Sequence, residues 1–235
     1  MTDQDEIEHV PPPWKLKGTV YCFMYWIPAS QAKDFPIDIA YSPLERSSSF
    51  AVGSASGKPK GGLASVMVLR YRESPVGAYD EIIFATGKHS YVVERDGKRV
   101  EKQSRRMTRL YVSQKVTCWN GRRARFEFHD LAEGGTEIKV FPHDIGGDPS
   151  ESAPSDSPFF RAVYKPLRFV PHLPLTTSIA KFVGIDMAVV QPPVPEGRGS
   201  QGELAGSDRG RWCGFTPMIS SRATGFGCAG YLVEW

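Results

Sequence analysis

The side chains best suited to metal binding or disulfide formation are scattered along this chain of 235 residues. Its four cysteines form no CxxC pair, and its five histidines form no HExxH or His-x-His spacing. They are Cys22, Cys118, Cys213 and Cys228, and His9, His89, His129, His143 and His172. Zinc sites and disulfide frameworks both rely on closer or paired spacings. The pattern predicts no metal centre and no disulfide framework, and it fits reduced thiols in the cytosol.

Tyrosines and basic residues on predicted strands offer a different chemistry. Tyr71, Tyr79 and Tyr111 could line a pocket and donate hydrogen bonds, although aromatic residues on strands more often belong to the core. A basic stretch between positions 98 and 109 could receive an anionic substrate or an acidic partner. It contains Lys98, Arg99, Lys102, Arg105, Arg106 and Arg109. The sequence favours the alternative, in which this stretch is a solvated hairpin surface.

Strand-like runs dominate the first two-thirds of the chain and would have to position these residues. They cover residues 19–26, 65–71, 81–84, 89–94, 99–102, 107–118, 126–129 and 136–141. These runs are rich in β-branched and aromatic residues, and turn residues separate them. Residues 19–26 read as a buried strand, and residues 230–235 read as a final strand. The spacing predicts a mainly β, mostly antiparallel sheet that closes into a barrel.

Two dipeptides predict tight hairpins. Asp96-Gly97 suits a two-residue type I′ turn, because both central residues of that turn need a positive φ. Asn120-Gly121 lies between the predicted strands 107–118 and 123–128, and it predicts a second hairpin. Helical signals are few: short helices are predicted over residues 29–34 and 177–183. Residues 146–158 and 191–210 read as loops.

Composition and charge exclude several classes of protein. The net charge of +3 and the spread of basic residues give no reason to expect a nucleic-acid partner. No apolar run is long enough for a transmembrane helix, and residues 1–13 lack the pattern of a secretory signal. We therefore expect a cytoplasmic protein without a membrane partner. It would have a flexible N-terminus over residues 1–13 and one domain over residues 14–235.

Several phrases, in order along most of the chain, resemble the acetoacetate decarboxylase-like family, in particular a fungal-type branch. They include Trp14-Lys-Leu-Lys-Gly18, Tyr41-Ser-Pro-Leu-Glu45, Glu73-Ser-Pro-Val-Gly-Ala-Tyr-Asp-Glu81, Arg109-Leu-Tyr-Val-Ser113 and Trp119-Asn-Gly-Arg122. Gln191-Pro-Pro and Gly199-Ser-Gln-Gly202 extend the resemblance. It implies a cone-like β-barrel around a shielded pocket. It also implies homo-oligomers, although these residues show no interface.

The resemblance implies a carbon–carbon lyase that needs no cofactor. In that family a lysine amine with a lowered pKa forms a Schiff base with a β-keto acid, and the iminium accepts the electrons released with CO2. Gly77-Ala-Tyr-Asp-Glu81 matches the family's glutamate phrase, which makes Glu81 the best candidate catalytic residue. The alternative for Glu81 is a solvated carboxylate at a strand end. Tyr79, Tyr111 and Arg122 are the candidate substrate-binding residues.

The family's lysine phrase is incomplete in this chain. Gly121-Arg122 matches its beginning, but Ala124-Arg125-Phe126 follows almost at once, where relatives carry a short Pro-Lys segment. Either a real deletion or an error in the gene model accounts for the difference. Lys115 is the candidate replacement nucleophile. Strand alternation puts it opposite the more apolar face of Val112 and Val116, which favours a solvent-facing side chain.

Three hypotheses on function remain open at this point. The first is an acetoacetate decarboxylase-like lyase in secondary metabolism that acts on a β-keto acid or a polyketide-like carbonyl compound. The second is a non-catalytic small-molecule-binding protein that retains the barrel. The third, and weakest, is an interaction module that uses the basic hairpin.

Overall fold

The computed structural model of the protein describes most of the chain, with gaps. The described residues are 10–11, 13–51, 57–114, 117–118, 121–143, 153–166, 173–176, 182, 187–195, 213–215, 220–223 and 227–232. The helix predicted over residues 177–183 lies outside them apart from residue 182, and so does most of the N-terminal segment 1–13. Lys115 also lies outside the described residues.

Most of the described chain is β-strand. The strands are β1 (Lys17–Ile27), β2 (Pro59–Glu73), β3 (Tyr79–Arg95), β4 (Lys98–Val112), β5 (Arg122–Asp130), β6 (Thr136–Pro142), β7 (Phe160–Pro166), β8 (Leu173–Thr176), β9 (Val189–Gln191), β10 (Cys213–Phe215), β11 (Ser220–Ala223) and β12 (Gly227–Leu232). A 3-10 helix (Ala32–Asp34) falls within the predicted range 29–34. Two helices of one turn follow it, α1 (Ile37–Ala40) and α2 (Pro43–Arg46).

The strands form a ten-stranded sheet that is nearly closed into a barrel and has one unsealed seam. Its order is β1-β2-β3-β4-β5-β6-β7-β12. In addition, β9 pairs with β4, and β10 pairs with β9. Neighbours are antiparallel except at β4–β5 and β4–β9. β8 and β11 form a separate pair. The predicted fold class, a mainly β protein with a barrel-like and mostly antiparallel sheet, is confirmed.

The β3–β4 hairpin turns at the predicted dipeptide. Asp96 has a φ of 53° and Gly97 a φ of 71°, as a type I′ turn requires. The strands on either side are much longer than predicted, because β3 and β4 each join two of the predicted runs. The joins fall at register shifts between residues 84 and 88 of β3, where the backbone is irregular. These bulges interrupt the alternation of the sequence, which explains why the runs looked separate.

The second predicted hairpin is wrong. β4 ends at Val112, and β5 runs parallel to it with Tyr111 opposite Arg122. A two-residue turn can join only antiparallel strands, so the Asn120-Gly121 signal does not form a hairpin between β4 and β5. Gly121 lies close to β4 instead, since a Cβ atom there would stand 2.1 Å from a methyl group of Leu110.

The inner face of the barrel carries the largest of three apolar clusters among the described residues. Its buried members are Phe23, Val66, Val68, Ile82, Phe84, Tyr111, Ala124, Ile138, Val140, Phe159, Phe160 and Ala162. A second cluster lies on the outer face of β3 and β4 and consists of Tyr79, Ala85, Met107, Leu110, Val112, Cys118 and Val189. Trp14, Tyr71, Val76 and Ile83 pack against it. The middle of the sheet is therefore covered on both faces.

The expectation that residues 19–26 form a fully buried strand is wrong. Phe23 faces the inner cluster, but Val20, Met24 and Trp26 on the other face are 47%, 54% and 70% exposed. β1 pairs with only one strand, β2, among the described residues. Antiparallel strands commonly bury one face and leave the other to solvent, and a continuous run of apolar residues does not reveal which face is covered.

Candidate functional site

Glu81 lies in the middle of the sheet, on its outer face. Its partners in register are Leu69 on β2 and Val112 on β4. The side chain is only 9% exposed, so the alternative of a solvated strand-end carboxylate does not describe it. Tyr79, two residues away, points to the same face because side chains alternate along a strand. Glu81 therefore lies beside the outer apolar cluster.

Two phenols accompany the carboxyl group. Tyr71 donates a side-chain hydrogen bond to Glu81, and its ring centroid lies 4.7 Å from that of Tyr79. Burial and the Glu81 charge raise the pKa of both tyrosines, so the phenols stay protonated and act as donors. We call Glu81, Tyr71 and Tyr79 the carboxyl cluster.

Burial also controls the charge of Glu81 itself. It raises the pKa of this carboxyl from 4.5 to about 7, and the hydrogen bond from Tyr71 opposes the rise. A carboxyl with a pKa near neutrality exists in both protonation states at physiological pH. Such a group can donate a proton as well as accept one, which is the requirement for general acid–base catalysis.

Three described residues that follow β4 lie next to this cluster. Asp80 and Ser113 exchange two hydrogen bonds, one of 2.8 Å to the Ser113 hydroxyl and one of 2.9 Å to the Asp80 carbonyl. The Gln114 amide donates to the Val76 carbonyl at 3.2 Å. Cys118 is buried in the outer cluster together with Tyr79. Ser113, Gln114 and Cys118 are thus held beside the carboxyl cluster.

The other two candidate substrate-binding residues lie on the opposite face of the sheet. Tyr111 pairs with Ile82, the neighbour of Glu81, and it is fully buried in the inner cluster. Arg122 pairs with Tyr111 and is 1% exposed. The structure therefore brings Glu81 together with Tyr79 and brings Tyr111 together with Arg122, but it separates the two pairs.

Arg122 is held by the segment that contains the two short helices. Its Nε donates to Glu45 Oε1 at 2.8 Å, and its Nη2 donates to the carbonyl of Pro195. α2 begins with Ser42 as its N-cap, and the Ser42 hydroxyl accepts the Glu45 N–H. This is half of a capping box, and it fixes the turn that presents Glu45 to the inner face.

Two further arginines of the inner face hold the same segment. Arg106 donates to the Tyr41 hydroxyl at 3.3 Å and to the Ser90 carbonyl at 3.1 Å. Arg109 donates to the Ile39 carbonyl at 3.1 Å and to the Tyr111 hydroxyl at 3.2 Å. The sequence favoured a solvated surface for the basic stretch, and this is right for Lys98, Arg99 and Lys102 but wrong for Arg105, Arg106 and Arg109, which are buried.

Several classes of reactive group are missing from the described part of the chain. It contains no group of three or more His, Cys, Asp or Glu residues placed to hold a metal ion. It also contains no buried lysine, since Lys139 is the least exposed and pairs with Glu137 at 3.0 Å. None of its helices has the length and apolar character needed to cross a membrane.

Comparisons with protein-family models, with curated proteins and with solved structures found no match to this chain. The resemblance to the acetoacetate decarboxylase-like family therefore stays a prediction from sequence phrases.

Proposed function

We propose that the protein is an acetoacetate decarboxylase-like lyase that acts on a β-keto acid or a related small carbonyl compound. The observation that carries the proposal is the carboxyl cluster, in which a buried Glu81 with a pKa of about 7 lies beside two protonated phenols. Glu81 is the proton donor and acceptor of the reaction, and Tyr79 is a hydrogen-bond donor to the substrate.

Lys115 is the proposed nucleophile. Its neutral amine attacks the ketone, and loss of water gives an iminium. The C–C bond to the carboxylate breaks and CO2 leaves. The electron pair of that bond enters the iminium and forms an enamine. Glu81 protonates the enamine carbon, and water then hydrolyses the new iminium to release the ketone and the amine. Gln114 and Cys118, two described residues on either side of this segment, both contact the surroundings of Glu81, which supports the proposal.

Borohydride trapping tests the proposal directly. The protein is incubated with acetoacetate and borohydride, and peptides are examined by mass spectrometry for a reduced adduct on lysine. We expect an adduct on Lys115 that disappears in Lys115→Gln. Lys102→Gln is the matched control, because Lys102 is an exposed lysine of β4. An adduct that persists in Lys115→Gln would contradict the assignment of the nucleophile.

A specific observation favours a second candidate function, a non-catalytic small-molecule-binding protein. A Schiff-base lysine needs burial or a nearby cation to lower its pKa, and no lysine among the described residues is buried. This hypothesis predicts saturable binding of a keto acid without an adduct and without release of CO2. Calorimetric titration of the same protein preparation with acetoacetate measures binding. Its result, read beside the adduct assay, separates the two functions.

A further inference from the structure

Strand β1 exposes a row of apolar side chains on the outer face of the sheet. Val20 is 47% exposed, Met24 54% and Trp26 70%. Cys22 lies between them in sequence and is also exposed. These residues occupy alternate positions, so their side chains project from the same face. Single exposed apolar residues are ordinary on protein surfaces, but a continuous patch of them marks an interaction surface.

The neighbouring strands extend this row into a patch. The register places three partly exposed apolar residues of β2 beside the row, and one of β3 beside those. We call the eight residues the apolar face: Val20, Cys22, Met24, Trp26, Leu63, Met67, Leu69 and Ile83. From the spacings within and between strands, the face is about 20 Å long and about 14 Å wide. Its area of about 300 Å² is that of the largest apolar patches on monomeric proteins, which are often functional.

The residues of the apolar face carry no charge. Every residue of β1 from 18 to 27 is uncharged as well. Arg105 of β4 donates to the hydroxyl of Ser65, the register partner of Met24, at 2.9 Å, but this arginine is buried. At one end of β1, Lys17 pairs with Glu73 at 2.7 Å. Nucleic acids and anionic lipid surfaces are recognised through basic residues, so the face suits an uncharged partner better.

β1 also lacks the usual protection of an outer strand. It stands at one end of the strand order among the described residues. Native proteins commonly place lysine or proline on such a strand, because these residues prevent association with a second copy. Residues 18–27 contain neither a charged residue nor a proline. The sequence of β1 therefore permits an association that other proteins prevent.

The exposed side chains of β1 increase in size along the strand, from Val20 and Cys22 to Met24 and Trp26. In a second copy packed on this face with its β1 antiparallel, the partner's Val20 would meet Trp26 and the partner's Cys22 would meet Met24. Each large side chain would then lie against a small one, which keeps the two sheets at the usual separation of about 10 Å. A twofold axis produces this arrangement, since its two contacting surfaces are identical. The apolar face is thus complementary to a copy of itself in shape and in charge.

We propose that the apolar face binds a second copy of this chain in a twofold-symmetric dimer, with the two β1 strands antiparallel and Trp26 packed against the partner's Val20. An area of about 300 Å² is smaller than the about 800 Å² that each partner buries in a stable complex, so the dimer dissociates on dilution. The proposal uses only exposed and partly exposed side chains of β1, β2 and β3. It does not depend on Glu81, on Lys115 or on the proposed lyase activity.

Sedimentation equilibrium of the full chain from about 1 to 300 μM tests the proposal, because this range spans the micromolar Kd expected of a small interface. We expect monomer at the lowest concentration and dimer at the highest. Trp26→Lys should weaken the dimer at least about tenfold, since exposed tryptophans often carry much of the energy of an interface. The 70% exposure of Trp26 lets the folded monomer tolerate this change. Val92→Lys is the matched control, because Val92 is a 43% exposed residue of β3 outside the apolar face.

An exchange of side-chain sizes tests the antiparallel arrangement. Val20→Trp sets a second large side chain against Trp26 of the partner subunit, and it should weaken the dimer about tenfold. The double variant Val20→Trp/Trp26→Val again sets large against small, so it should recover the wild-type affinity. A short bismaleimide should link the two copies through Cys22, and the link should disappear in Cys22→Ser.

Three results would overturn the proposal. They are a monomer at every concentration, equal weakening of a dimer by Trp26→Lys and Val92→Lys, and no recovery of affinity in the double variant. A chain that stays monomeric but sediments with phosphatidylserine vesicles, and loses this binding in Trp26→Lys, would assign the apolar face to a lipid surface instead.

Discussion

Replacing Glu81 by glutamine should change how the stability of the protein depends on pH. Glutamine has nearly the same shape as glutamate, can accept a hydrogen bond from the Tyr71 hydroxyl and carries no charge. In the wild-type protein, burial raises the pKa of this carboxyl from 4.5 to about 7. The burial that supports the proposed catalytic role thus has a thermodynamic consequence that can be measured without a substrate.

The sign follows from the two pKa values. Below pH 4.5 the carboxyl is protonated in the folded and the unfolded chain, and it costs nothing. Between pH 4.5 and 7 the unfolded chain releases its proton while the folded chain retains it, so stability falls as pH rises. Above pH 7 both states are ionised and the loss is constant. A pKa change of this size corresponds to about 3 kcal/mol.

Urea unfolding at intervals from pH 4.5 to 8.5 measures the effect. We expect the free energy of unfolding of Glu81→Gln, minus that of the wild type, to rise by about 3 kcal/mol across this range. The subtraction removes the contributions of all other titrating groups. Glu73→Gln is the matched control on the same sheet, because Glu73 is exposed and pairs with Lys17 at 2.7 Å.

The reasoning fails if the difference for Glu81→Gln stays within about 1 kcal/mol over the whole range. It also fails if Glu73→Gln shows the same slope, since the effect would then come from removing any carboxylate. Either outcome would remove the main support for Glu81 as an acid–base group near neutral pH.

Three smaller changes should also have defined effects. Tyr71→Phe removes the hydrogen bond that favours the Glu81 carboxylate, so the folded-state pKa rises and the pH at which the fall in stability ends should move upward in the same urea series. Glu45→Gln leaves the Arg122 guanidinium buried without its carboxylate, and we expect a loss of about 3 kcal/mol in urea unfolding. Gly97→Ala puts a side chain at a φ of 71° with no atom in its way, so thermal unfolding should show the backbone cost alone, about 1 kcal/mol.

Each of these changes has a control or a contradicting result. A downward shift in Tyr71→Phe would show that the phenol does not stabilise the carboxylate. No loss in Glu45→Gln would mean that the remaining partners of Arg122 satisfy its charge. Gly214→Ala is the control for the turn, because Gly214 also has open space around it and lacks a positive φ.

Local signals predicted the β-rich fold and the β3–β4 turn, because alternation and a positive-φ dipeptide depend on near neighbours. The β4–β5 connection was not predictable in this way. Its Asn-Gly dipeptide has the chemistry of a hairpin turn, and the parallel pairing of Tyr111 with Arg122 depends on where the whole barrel places β5. The exposure of Trp26 similarly depends on the edge position of β1, which its sequence does not show.

The candidate site was predicted only in part. The resemblance singled out Glu81, but its pKa depends on atoms from three strands, and no sequence pattern reports that burial. The register shifts between Phe84 and Lys88 separate Arg109 from the hairpin surface, so the pattern of the hairpin gives no sign that Arg109 faces inward. A basic residue close to a predicted aromatic core strand was the available signal, and Arg109 next to Tyr111 fits it.

The alternation of β3 decides whether the carboxyl cluster and the inner arginines can influence each other. Glu81 and Ile82 are consecutive, so the carboxyl cluster and the inner arginines project from opposite faces of one sheet. Arg109 also lies three residues from Val112, the partner of Glu81, which is about 10 Å along the strand. Distant groups without shared partners contribute additively to stability. The effects of Glu81→Gln and Arg109→Gln on the free energy of unfolding at pH 8 should therefore add within about 0.5 kcal/mol in the double variant. A larger coupling, measured by urea unfolding of the four proteins of the cycle, would show that one network spans the sheet and links the carboxyl cluster to the inner arginines.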